Sequence, residues 1–544
     1  MYDVSLGASC FPAQADEPLR DTTVGGILIE AAAEAPGALA LLEVRADGSR
    51  GRQWTYRELL ADAERLADAL LSRYEPGERV AIWSPNSPEW VIVQFAAGLA
   101  GLTLVTVNPA YQRKELAYVL EQSRSVGLFL VREWRGNAMA EIARDVSASL
   151  EAIREVVDLD DPAALFARSS PSRPRPVVRP NDPVQVQYTS GTTGFPKGAV
   201  LSHRGLTNNA RFWLSRMGPR AGDIYLNVMP LFHTAGCSIG VLGCVQWRCQ
   251  IVLARLFEPN HILSVIERER VDLFIGVPTM LIAMLEAYGH QPRNIDTLRA
   301  VLSGGTGVPP EVAVRIEQTF GCAFVILYGQ TESSGGLALT RVDDPIEERM
   351  HSIGQPFPHT ELSIRDAASD VVPLGVVGEI CARGYCVMLG YNDNPEATER
   401  AIDKDGWLHT GDLGVMDANG FVRMAGRLKD LIIRGGENLF PAEIENVLAM
   451  HPSVAEVAVV GVPDPQWGEI AVAFLRPRVD ATLDAIDLVR HVRSELAAPK
   501  TPAHWVVLDA LPLTGSGKVQ KFVLRERWLA GDYSAHLLPA RGGA

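Results

Sequence analysis

The chain lacks the features that would place it in a membrane, in the secretory route or on a nucleic acid. Its longest apolar runs, residues 96–107 and 236–245, are shorter than a membrane span and are interrupted by glycines. The net charge of −14 provides no general basic surface, which a nucleic-acid binder needs to release counterions. The first residues have no basic stretch followed by an apolar core, so no secretory signal is expected. We therefore expect a cytoplasmic protein with no transmembrane segment and no nucleic-acid partner.

Cysteine is present but without a recognisable spacing. The seven cysteines include no Cys-x-x-Cys pair, so their spacing indicates neither a zinc site nor a disulfide framework. We expect most of them to be small buried hydrophobes in a reducing compartment.

The length and the pattern of elements predict an α/β protein with more than one domain. A chain of 544 residues, 47% hydrophobic and 21% charged, is too long for one compact core. Helical and strand patterns alternate from residue 22 to residue 160, which favours parallel sheets covered by helices. Ser87 and Pro88 have the pattern of a helix start. Residues 168–183, rich in Pro, Ser and Arg, predict an extended connector.

A polar loop follows the strand predicted over residues 184–188. The loop contains four hydroxyl residues (Thr189, Ser190, Thr192, Thr193), three glycines (Gly191, Gly194, Gly198) and Lys197. Backbone N–H groups beside glycine, hydroxyl donors and a lysine suit a polyphosphate. The Walker pattern requires Gly-Lys followed by serine or threonine, and here Lys197 stands between Pro196 and Gly198, so that pattern is absent. Taken alone, the loop is also compatible with a surface turn.

The string from 188 to 203 closely resembles the phosphate-binding signature of the adenylate-forming (AMP-binding) enzymes. The other motifs of that superfamily follow in order, and the resemblance spans about residues 25 to 530. Within the superfamily, the sequence most resembles the medium- and long-chain fatty acyl-CoA synthetases. They lie at 227–236, 301–306, 327–332, 405–414, 425–445 and 511–521. The resemblance implies a large N-terminal AMP- and acyl-binding domain, residues 1–427, built of parallel-rich sheets flanked by helices. It also implies a small mobile α+β domain, residues 428–544, that carries the catalytic lysine.

The resemblance also assigns residues to the nucleotide. Tyr328 would stack on adenine, Thr331 would bond the α-phosphate, Glu332 would hold Mg²⁺ and Lys518 would enter the site for adenylation. The full set implied for ATP and AMP is Thr189, Ser190, Gly191, Thr192, Thr193, Gly194, Lys197, Ser303, Gly304, Gly305, Tyr328, Gly329, Thr331, Asp412, Arg427 and Lys518. Asp412 would accept hydrogen bonds from both ribose hydroxyls, and Arg427 would also reach the ribose. The alternative is a surface salt bridge between Asp412 and Arg427.

The remaining implied residues concern the acid and coenzyme A. The resemblance counts His233 as catalytic, together with Thr331, Glu332 and Lys518. Amino-acid-activating relatives carry aspartate at the position of His233, so we expect a substrate acid without an α-amine. The acyl pocket would include His233, Cys237, Val277 and Gly304, while the apolar run 237–245 fits a tunnel wall or core packing equally well. Lys429 would be the hinge, and Gly435, Gly436 and Glu437 would approach coenzyme A.

We interpret the chain as an ATP-dependent acyl-CoA synthetase, an acid–thiol ligase for a small carboxylic acid, with ATP, Mg²⁺ and coenzyme A. The acid, most simply a fatty acid, would form acyl-AMP and pyrophosphate, and coenzyme A would then release AMP. An aryl-CoA ligase and a fatty acyl-AMP ligase that loads a carrier protein remain open, as does a homodimer. A luciferase-like reaction would need a special substrate. A non-catalytic nucleotide-binding module would be expected to have lost Lys518 or Glu332, and both are present.

Overall fold

The computed structural model describes residues 1–168, 173–189, 196–305, 307–308, 310–435, 437–513 and 519–538. Strands are numbered here in chain order, with these bounds: β1 Cys10–Phe11, β2 Leu39–Val44, β3 Arg50–Thr55, β4 Arg79–Trp83, β5 Thr103–Val107, β6 Gly127–Leu130, β7 Glu155–Asp158, β8 Pro183–Thr189, β9 Lys197–Ser202, β10 Ile224–Asn227, β11 Gln250–Ala254, β12 Leu273–Ile275, β13 Ala300–Gly304, β14 Ala323–Tyr328, β15 Ala338–Leu339, β16 Gln355–Pro356, β17 Thr360–Arg365, β18 Gly378–Gly384, β19 Gly390–Tyr391, β20 Leu408–Met416, β21 Val422–Arg427, β22 Ile432–Arg434, β23 Glu437–Leu439, β24 Val454–Asp464, β25 Gly468–Pro477 and β26 His504–Val507.

Helices are numbered in the same way. The α-helices are α1 Val24–Glu34, α2 Tyr56–Leu71, α3 Pro88–Ala100, α4 Arg113–Ser123, α5 Met139–Ser147, α6 Pro162–Leu165, α7 His203–Ser215, α8 Cys244–Trp247, α9 Pro259–Glu269, α10 Pro278–His290, α11 Pro310–Phe320, α12 Ile346–His351, α13 Pro395–Ala401, α14 Pro441–Ala449, α15 Ala485–Glu495 and α16 Lys521–Ala530. A π-helix spans Ala235–Gly243, and 3₁₀ turns span Thr331–Ser333, Leu428–Asp430, Ala498–Lys500 and Ser534–His536.

Two large sheets confirm the predicted parallel-rich α/β class. The nine-stranded sheet has the order β16-β15-β14-β13-β12-β10-β11-β2-β3, and its strands from β14 to β2 run parallel. The seven-stranded sheet has the order β19-β9-β8-β5-β4-β6-β7, with the five strands from β8 to β7 parallel. Antiparallel strands complete the edges of both sheets. The helix start predicted at Ser87 and Pro88 is confirmed, since the Ser87 side chain caps α3. Thr55 caps α2 in the same way.

A third sheet is entirely antiparallel and was not predicted. Strands β1, β17, β18, β20 and β21 lie in that order, so the N-terminal β1 pairs with a strand about 350 residues later in the chain. This sheet carries Asp412 on β20 and Arg427 on β21. It therefore supplies part of the site described below.

The residues after Ile432 form a sheet and hydrophobic clusters of their own. Strands β22 to β26 make the fourth sheet, and two buried clusters there draw only on residues from Ile432 onward. The remaining two clusters, both larger, lie before this point. This arrangement is compatible with a domain boundary after Arg427, which stays a prediction.

The connector predicted over residues 168–183 has no regular structure where it is described, from residue 173 to residue 182. Its arginines pair with acidic groups near α2: Arg175 contacts Glu64 at 2.7 Å and Asp68 at 3.2 Å. The connector therefore lies against α2, and these guanidinium groups are engaged there. No helix in the described residues is long and apolar enough to cross a membrane.

His203 is a fully buried imidazole that joins the N-terminal segment to α7. Its Nδ1 accepts a hydrogen bond from the backbone N–H of Val24 at 3.0 Å. Burial lowers the pKa of His203 to about 4. The folded protein therefore keeps this ring neutral at a pH where the unfolded chain, with a pKa near 6.5, takes up a proton.

We predict that His203 makes the folded state sensitive to acid. The unfolded state binds the extra proton below about pH 6.5, so stability is complete above that pH and falls as the pH drops towards 4. Between pH 7 and pH 5 this group should cost the wild type about 2 kcal/mol. His203→Asn keeps an acceptor for Val24 and removes the titration, so its free energy of unfolding should fall less over that interval. Parallel pH curves for the two proteins, measured by urea unfolding, would contradict this assignment.

Candidate active site

The carboxyl ends of four neighbouring parallel strands converge on one edge of the nine-stranded sheet. Strand β10 leads to His233, β12 to Val277, β13 ends at Gly304 and β14 leads into Tyr328 and Glu332. Open α/β sheets bind ligands outside the carboxyl ends of their strands. This edge therefore collects residues of three sequence motifs, 227–236, 301–306 and 327–332, together with Val277 of the predicted acyl pocket.

The β8–β9 hairpin of the seven-stranded sheet meets the same edge. Thr189 pairs with Lys197 across the hairpin. The Thr189 hydroxyl donates a hydrogen bond to the Glu332 carboxylate at 3.3 Å. The rest of the predicted phosphate loop, Ser190, Gly191, Thr192, Thr193 and Gly194, lies outside the described residues. The hairpin thus brings the two ends of that loop to the residue predicted to hold Mg²⁺.

Glu332 is a buried carboxylate whose protein partners are hydroxyl groups. It lies on the 3₁₀ turn after β14 with 9% of its surface exposed, next to the buried Thr331. Oε1 accepts hydrogen bonds from the Tyr391 hydroxyl at 2.8 Å and from Thr189. Within the described ranges, no lysine, arginine or histidine forms an ion pair with this carboxylate. Because an unpaired buried charge costs several kcal/mol, the site favours a bound cation.

Tyr391 is a site residue that the sequence analysis missed. Strand β19 pairs antiparallel with β9, so Tyr391 lies opposite Ala199. Burial, and after it the Glu332 charge, raises the pKa of Tyr391 well above its ordinary value, so the phenol remains a donor. Lys197 Nζ lies 5.0 Å from the centre of the Tyr391 ring. The Gly-Tyr dipeptide at 390–391 carries no charge or ligand pattern that would have revealed this role.

A second buried carboxylate lies at the antiparallel sheet. Asp412 Oδ2 accepts a hydrogen bond from the Tyr328 hydroxyl at 3.0 Å, and Oδ1 pairs with Arg427 Nε at 3.0 Å. Asp412 and Arg427 are direct neighbours across β20 and β21. The Asp412 side chain is 7% exposed and that of Arg427 46%, so this is a half-buried pair and not a simple surface salt bridge.

Tyr328 joins the two carboxylate regions. Burial, with a further contribution from Asp412, raises the pKa of Tyr328 well above its ordinary value. Its hydroxyl therefore stays protonated and fixes Asp412, while its backbone lies four residues before Glu332. One strand end thus positions both acidic groups.

The glycines at this edge are required by close backbone packing. A Cβ on Gly304 would lie well inside contact distance of the Leu327 carbonyl oxygen, and one on Gly329 would meet the Gly335 carbonyl in the same way. Gly305 has φ +80°, a conformation that favours glycine. Ser303 is fully buried, and its hydroxyl has no hydrogen-bond partner among the described residues. The glycines assigned to the nucleotide by resemblance thus also have a packing reason within the chain.

On the acyl side, the described residues are tightly packed. His233 is half-buried, and its Nδ1 accepts a hydrogen bond from Ala235 N at 3.2 Å. Cys237 is fully buried within the π-helix and belongs to the largest hydrophobic cluster, with its Sγ 3.4 Å from the Gln185 amide nitrogen. This packing favours the core alternative for the apolar run in this conformation. The pocket composed of His233, Cys237, Val277 and Gly304 stays a prediction.

Three of the residues predicted for the hinge and for coenzyme A lie on the surface. Lys429 is exposed on the 3₁₀ turn Leu428–Asp430. Gly435 and Glu437 are exposed at the β22–β23 hairpin, where Gly435 has φ +59°. Gly436 and Lys518 lie outside the described residues.

Comparison with known proteins agrees with this geometry. The AMP-binding enzyme family matches residues 28–392, and the AMP-binding enzyme C-terminal domain matches residues 443–518. The chain belongs to the AMP-binding enzyme family, also called adenylate-forming enzymes.

Individual relatives match along nearly the whole chain. Human mitochondrial medium-chain acyl-CoA ligase ACSF2 is 34% identical, covering 94% of this chain and 88% of its own. The 3-[(3aS,4S,7aS)-7a-methyl-1,5-dioxo-octahydro-1H-inden-4-yl]propanoyl:CoA ligase of Rhodococcus jostii is 34% identical, covering 87% and 93%. The Bacillus subtilis o-succinylbenzoate CoA synthetase MenE, solved with its acyl-adenylate intermediate, is 29% identical with a TM-score of 0.81, covering 93% and 99%.

We predict that Gly304→Ala will disturb the site through its neighbouring strand. The added Cβ would push β13 from the Leu327 carbonyl at the point where β14 presents Tyr328. Overpacking of this kind costs about 1–3 kcal/mol. We expect a lower free energy of unfolding and weaker ATP binding, measured by chemical denaturation and calorimetry. Gly307→Ala is the control, because nothing lies within 4 Å of that Cβ. Wild-type stability and ATP affinity in Gly304→Ala would contradict the prediction.

Proposed function

We propose that the protein is an AMP-forming acid–thiol ligase that converts a carboxylic acid, ATP and coenzyme A to acyl-CoA, AMP and pyrophosphate. Membership of the AMP-binding enzyme family supports the reaction type. The observation that carries the proposal is the pair of buried carboxylates, Glu332 and Asp412, at a ligand-binding sheet edge. One carboxylate suits a hard cation bound to phosphates and the other suits a ribose diol.

In the first half-reaction, the acid's carboxylate attacks the α-phosphorus of ATP and pyrophosphate leaves. Negative charge grows on the phosphate oxygens, so preorganised donors and cations lower the barrier. Mg²⁺ bound at Glu332 would neutralise phosphate charge. In this proposal, three groups of the chain near that carboxylate donate hydrogen bonds to phosphate: Thr189, Thr331 and Lys197. Tyr328 and Arg427 hold Asp412 in position for the ribose hydroxyls.

The catalytic lysine, the hinge and the coenzyme A segment enter the proposal through family resemblance. Lys518 enters during adenylation and offsets the repulsion between the carboxylate and the α-phosphate. The C-terminal region then turns about Lys429, and the Gly435–Glu437 hairpin approaches the thiol of coenzyme A. The thiol attacks the acyl-adenylate carbonyl and AMP leaves.

The proposed substrate is an aliphatic acid, with a fatty acid of medium length as the first candidate. His233 occupies the position at which an amino-acid substrate would need an anionic partner. The medium-chain specificity named for the human relative supports an alkyl acid. The Rhodococcus relative, which is named for a bicyclic propanoyl acid, makes ring-bearing acids the second candidate class. A cytoplasmic location and a homodimer remain parts of the proposal, to be tested by fractionation and light scattering.

The test of the function is acid-dependent pyrophosphate release, measured with and without coenzyme A. Straight-chain acids of graded length, a benzoate and a bicyclic propanoate form the panel. We expect multiple turnovers only with coenzyme A and one maximum within the straight-chain series. Turnover independent of coenzyme A would favour a ligase that loads a carrier protein. No acid-dependent release, from a protein that still binds ATP, would contradict the proposed reaction.

We predict that Tyr391→Phe will raise the Mg²⁺ concentration needed for half-maximal pyrophosphate release about tenfold. The variant removes the 2.8 Å hydrogen bond that orients Glu332. The maximal rate at saturating Mg²⁺ should change less. Tyr188→Phe is the control, because its hydroxyl instead bonds Gln122 and the Val119 carbonyl on the neighbouring helix α4. An unchanged Mg²⁺ requirement in Tyr391→Phe would remove Tyr391 from this role.

We predict that Lys518→Ala will separate the two half-reactions. Its charge is needed only while the carboxylate approaches the α-phosphate, so adenylation should slow roughly 100- to 1000-fold. Thioester formation from supplied acyl-AMP should persist within a fewfold of wild type. Comparable losses in both half-reactions would contradict this division.

A further inference from the structure

A cluster of metal-ligating side chains lies outside the nucleotide site, on β18 and β20 of the antiparallel sheet. Cys381 and His409 face each other directly across the ladder, and Glu379 precedes Cys381 by two residues on the same strand. One ligand atom from each of the three residues lies within 4.8 Å of the other two. The strand register therefore assembles a Cys-His-Glu group from residues about 30 positions apart.

The sulfur–nitrogen separation in the cluster matches a tetrahedral metal centre, and the oxygen lies close to its ligand position. Cys381 Sγ lies 3.5 Å from His409 Nδ1, and His409 Nδ1 lies 2.8 Å from Glu379 Oε2. Bond lengths of about 2.3 Å to sulfur and about 2.0 Å to nitrogen set a sulfur–nitrogen separation near 3.5 Å at a tetrahedral zinc. The Glu379 oxygen would need to move by only about half an ångström from His409 to reach ligand spacing.

A second carboxylate lies behind the imidazole. Asp403 Oδ2 is 3.7 Å from His409 Nε2, the ring nitrogen opposite the cluster. At this distance the two groups interact as charges and form no hydrogen bond. The Asp403 charge favours a proton on Nε2 when a cation replaces the hydrogen bond between Nδ1 and Glu379. The four residues together provide ligands and an outer partner.

We propose that Glu379, Cys381 and His409 bind one zinc-class divalent cation, with Asp403 orienting His409. The thiolate and imidazole ligands select zinc, cobalt and related ions over Mg²⁺. Cys381 is fully buried, while 17% of the Glu379 side chain and 21% of the His409 side chain are exposed. Solvent therefore reaches the cluster and supplies a water as the fourth ligand.

Two features oppose binding and set the expected affinity. Burial, with a contribution from Glu379, raises the pKa of Cys381 to about 12, so the sulfur is a thiol until a cation arrives and its proton leaves to solvent. Arg365 on β17 lies opposite Glu379 and adds positive charge nearby. The site is therefore expected to fill at micromolar metal and not at trace concentrations.

The cluster is also connected to the strand that carries Asp412. Glu379 Oε1 accepts a hydrogen bond from the backbone N–H of Gly411 at 2.9 Å, one residue before Asp412. Gly411 has φ +71° at the register shift between β18 and β20, so this position favours glycine. A cation bound by the Glu379 carboxylate would therefore lie close to Asp412, the carboxylate that binds the ribose in the proposed function.

Cobalt binding tests the proposal without depending on catalysis. Untagged, reduced, full-length protein is freed of metals with a chelator and titrated with Co²⁺ in excess Mg²⁺. We expect one equivalent to bind with a near-ultraviolet thiolate-to-cobalt charge-transfer band, and Zn²⁺ to displace it. No such band at micromolar Co²⁺ would overturn the proposal.

Variants assign the band to its ligands. Cys381→Ser and His409→Gln should lose it, whereas Cys386→Ser, the removal of an equally buried thiol, should retain it. A band retained in Cys381→Ser would overturn the assignment. If those variants do not fold, Asp403→Asn decides, because loss of the outer carboxylate should weaken Co²⁺ binding at least tenfold. An unchanged Co²⁺ affinity in a folded Asp403→Asn protein would overturn the proposal.

Discussion

The buried carboxylate of Glu332 is the constraint around which the site is organised. It needs hydroxyl donors from two elements, Thr189 at the end of β8 and Tyr391 on β19, while its own turn comes from the end of β14. Two sheets must therefore meet at one point for this charge to be solvated by the protein. Since neither donor is charged, the arrangement stabilises the carboxylate without neutralising it, and a cation remains the complementary partner.

Asp412 is a second buried carboxylate that is held by groups from two sheets, one of them the antiparallel third sheet. Its two oxygens are held by Tyr328 from the parallel sheet and Arg427 from the antiparallel sheet. Tyr328 and Glu332 leave the same strand end, so a displacement of β14 would move both carboxylates together. The glycines at 304 and 329 allow that strand to pack closely enough to hold this position. In the proposed function, binding of phosphates and of ribose therefore depends on one strand of the core.

The sequence could predict the features that depend on local patterns. Ser87 marked a helix start because a capping side chain acts within three residues, and the alternation of helix and strand patterns indicated the parallel sheets. Tyr391 and the antiparallel sheet were missed, because their partners are distant in sequence and register is not visible in one chain. The same holds for Cys381 and His409, 28 positions apart, which a search for Cys-x-x-Cys spacing passes over. The roles of the carboxylates came from family resemblance, while their burial and partners came from the structure.

In the proposed function, Glu332 binds the metal and Asp412 binds the ribose. Calorimetric titration of ATP, with and without Mg²⁺, into Glu332→Gln and Asp412→Asn separates these two roles. We expect Glu332→Gln to keep the metal-free ATP affinity and to lose the gain that Mg²⁺ provides. Asp412→Asn should weaken ATP binding by a similar factor in both conditions. Loss of the Mg²⁺ gain in Asp412→Asn, or its retention in Glu332→Gln, would show that the two roles are wrongly assigned.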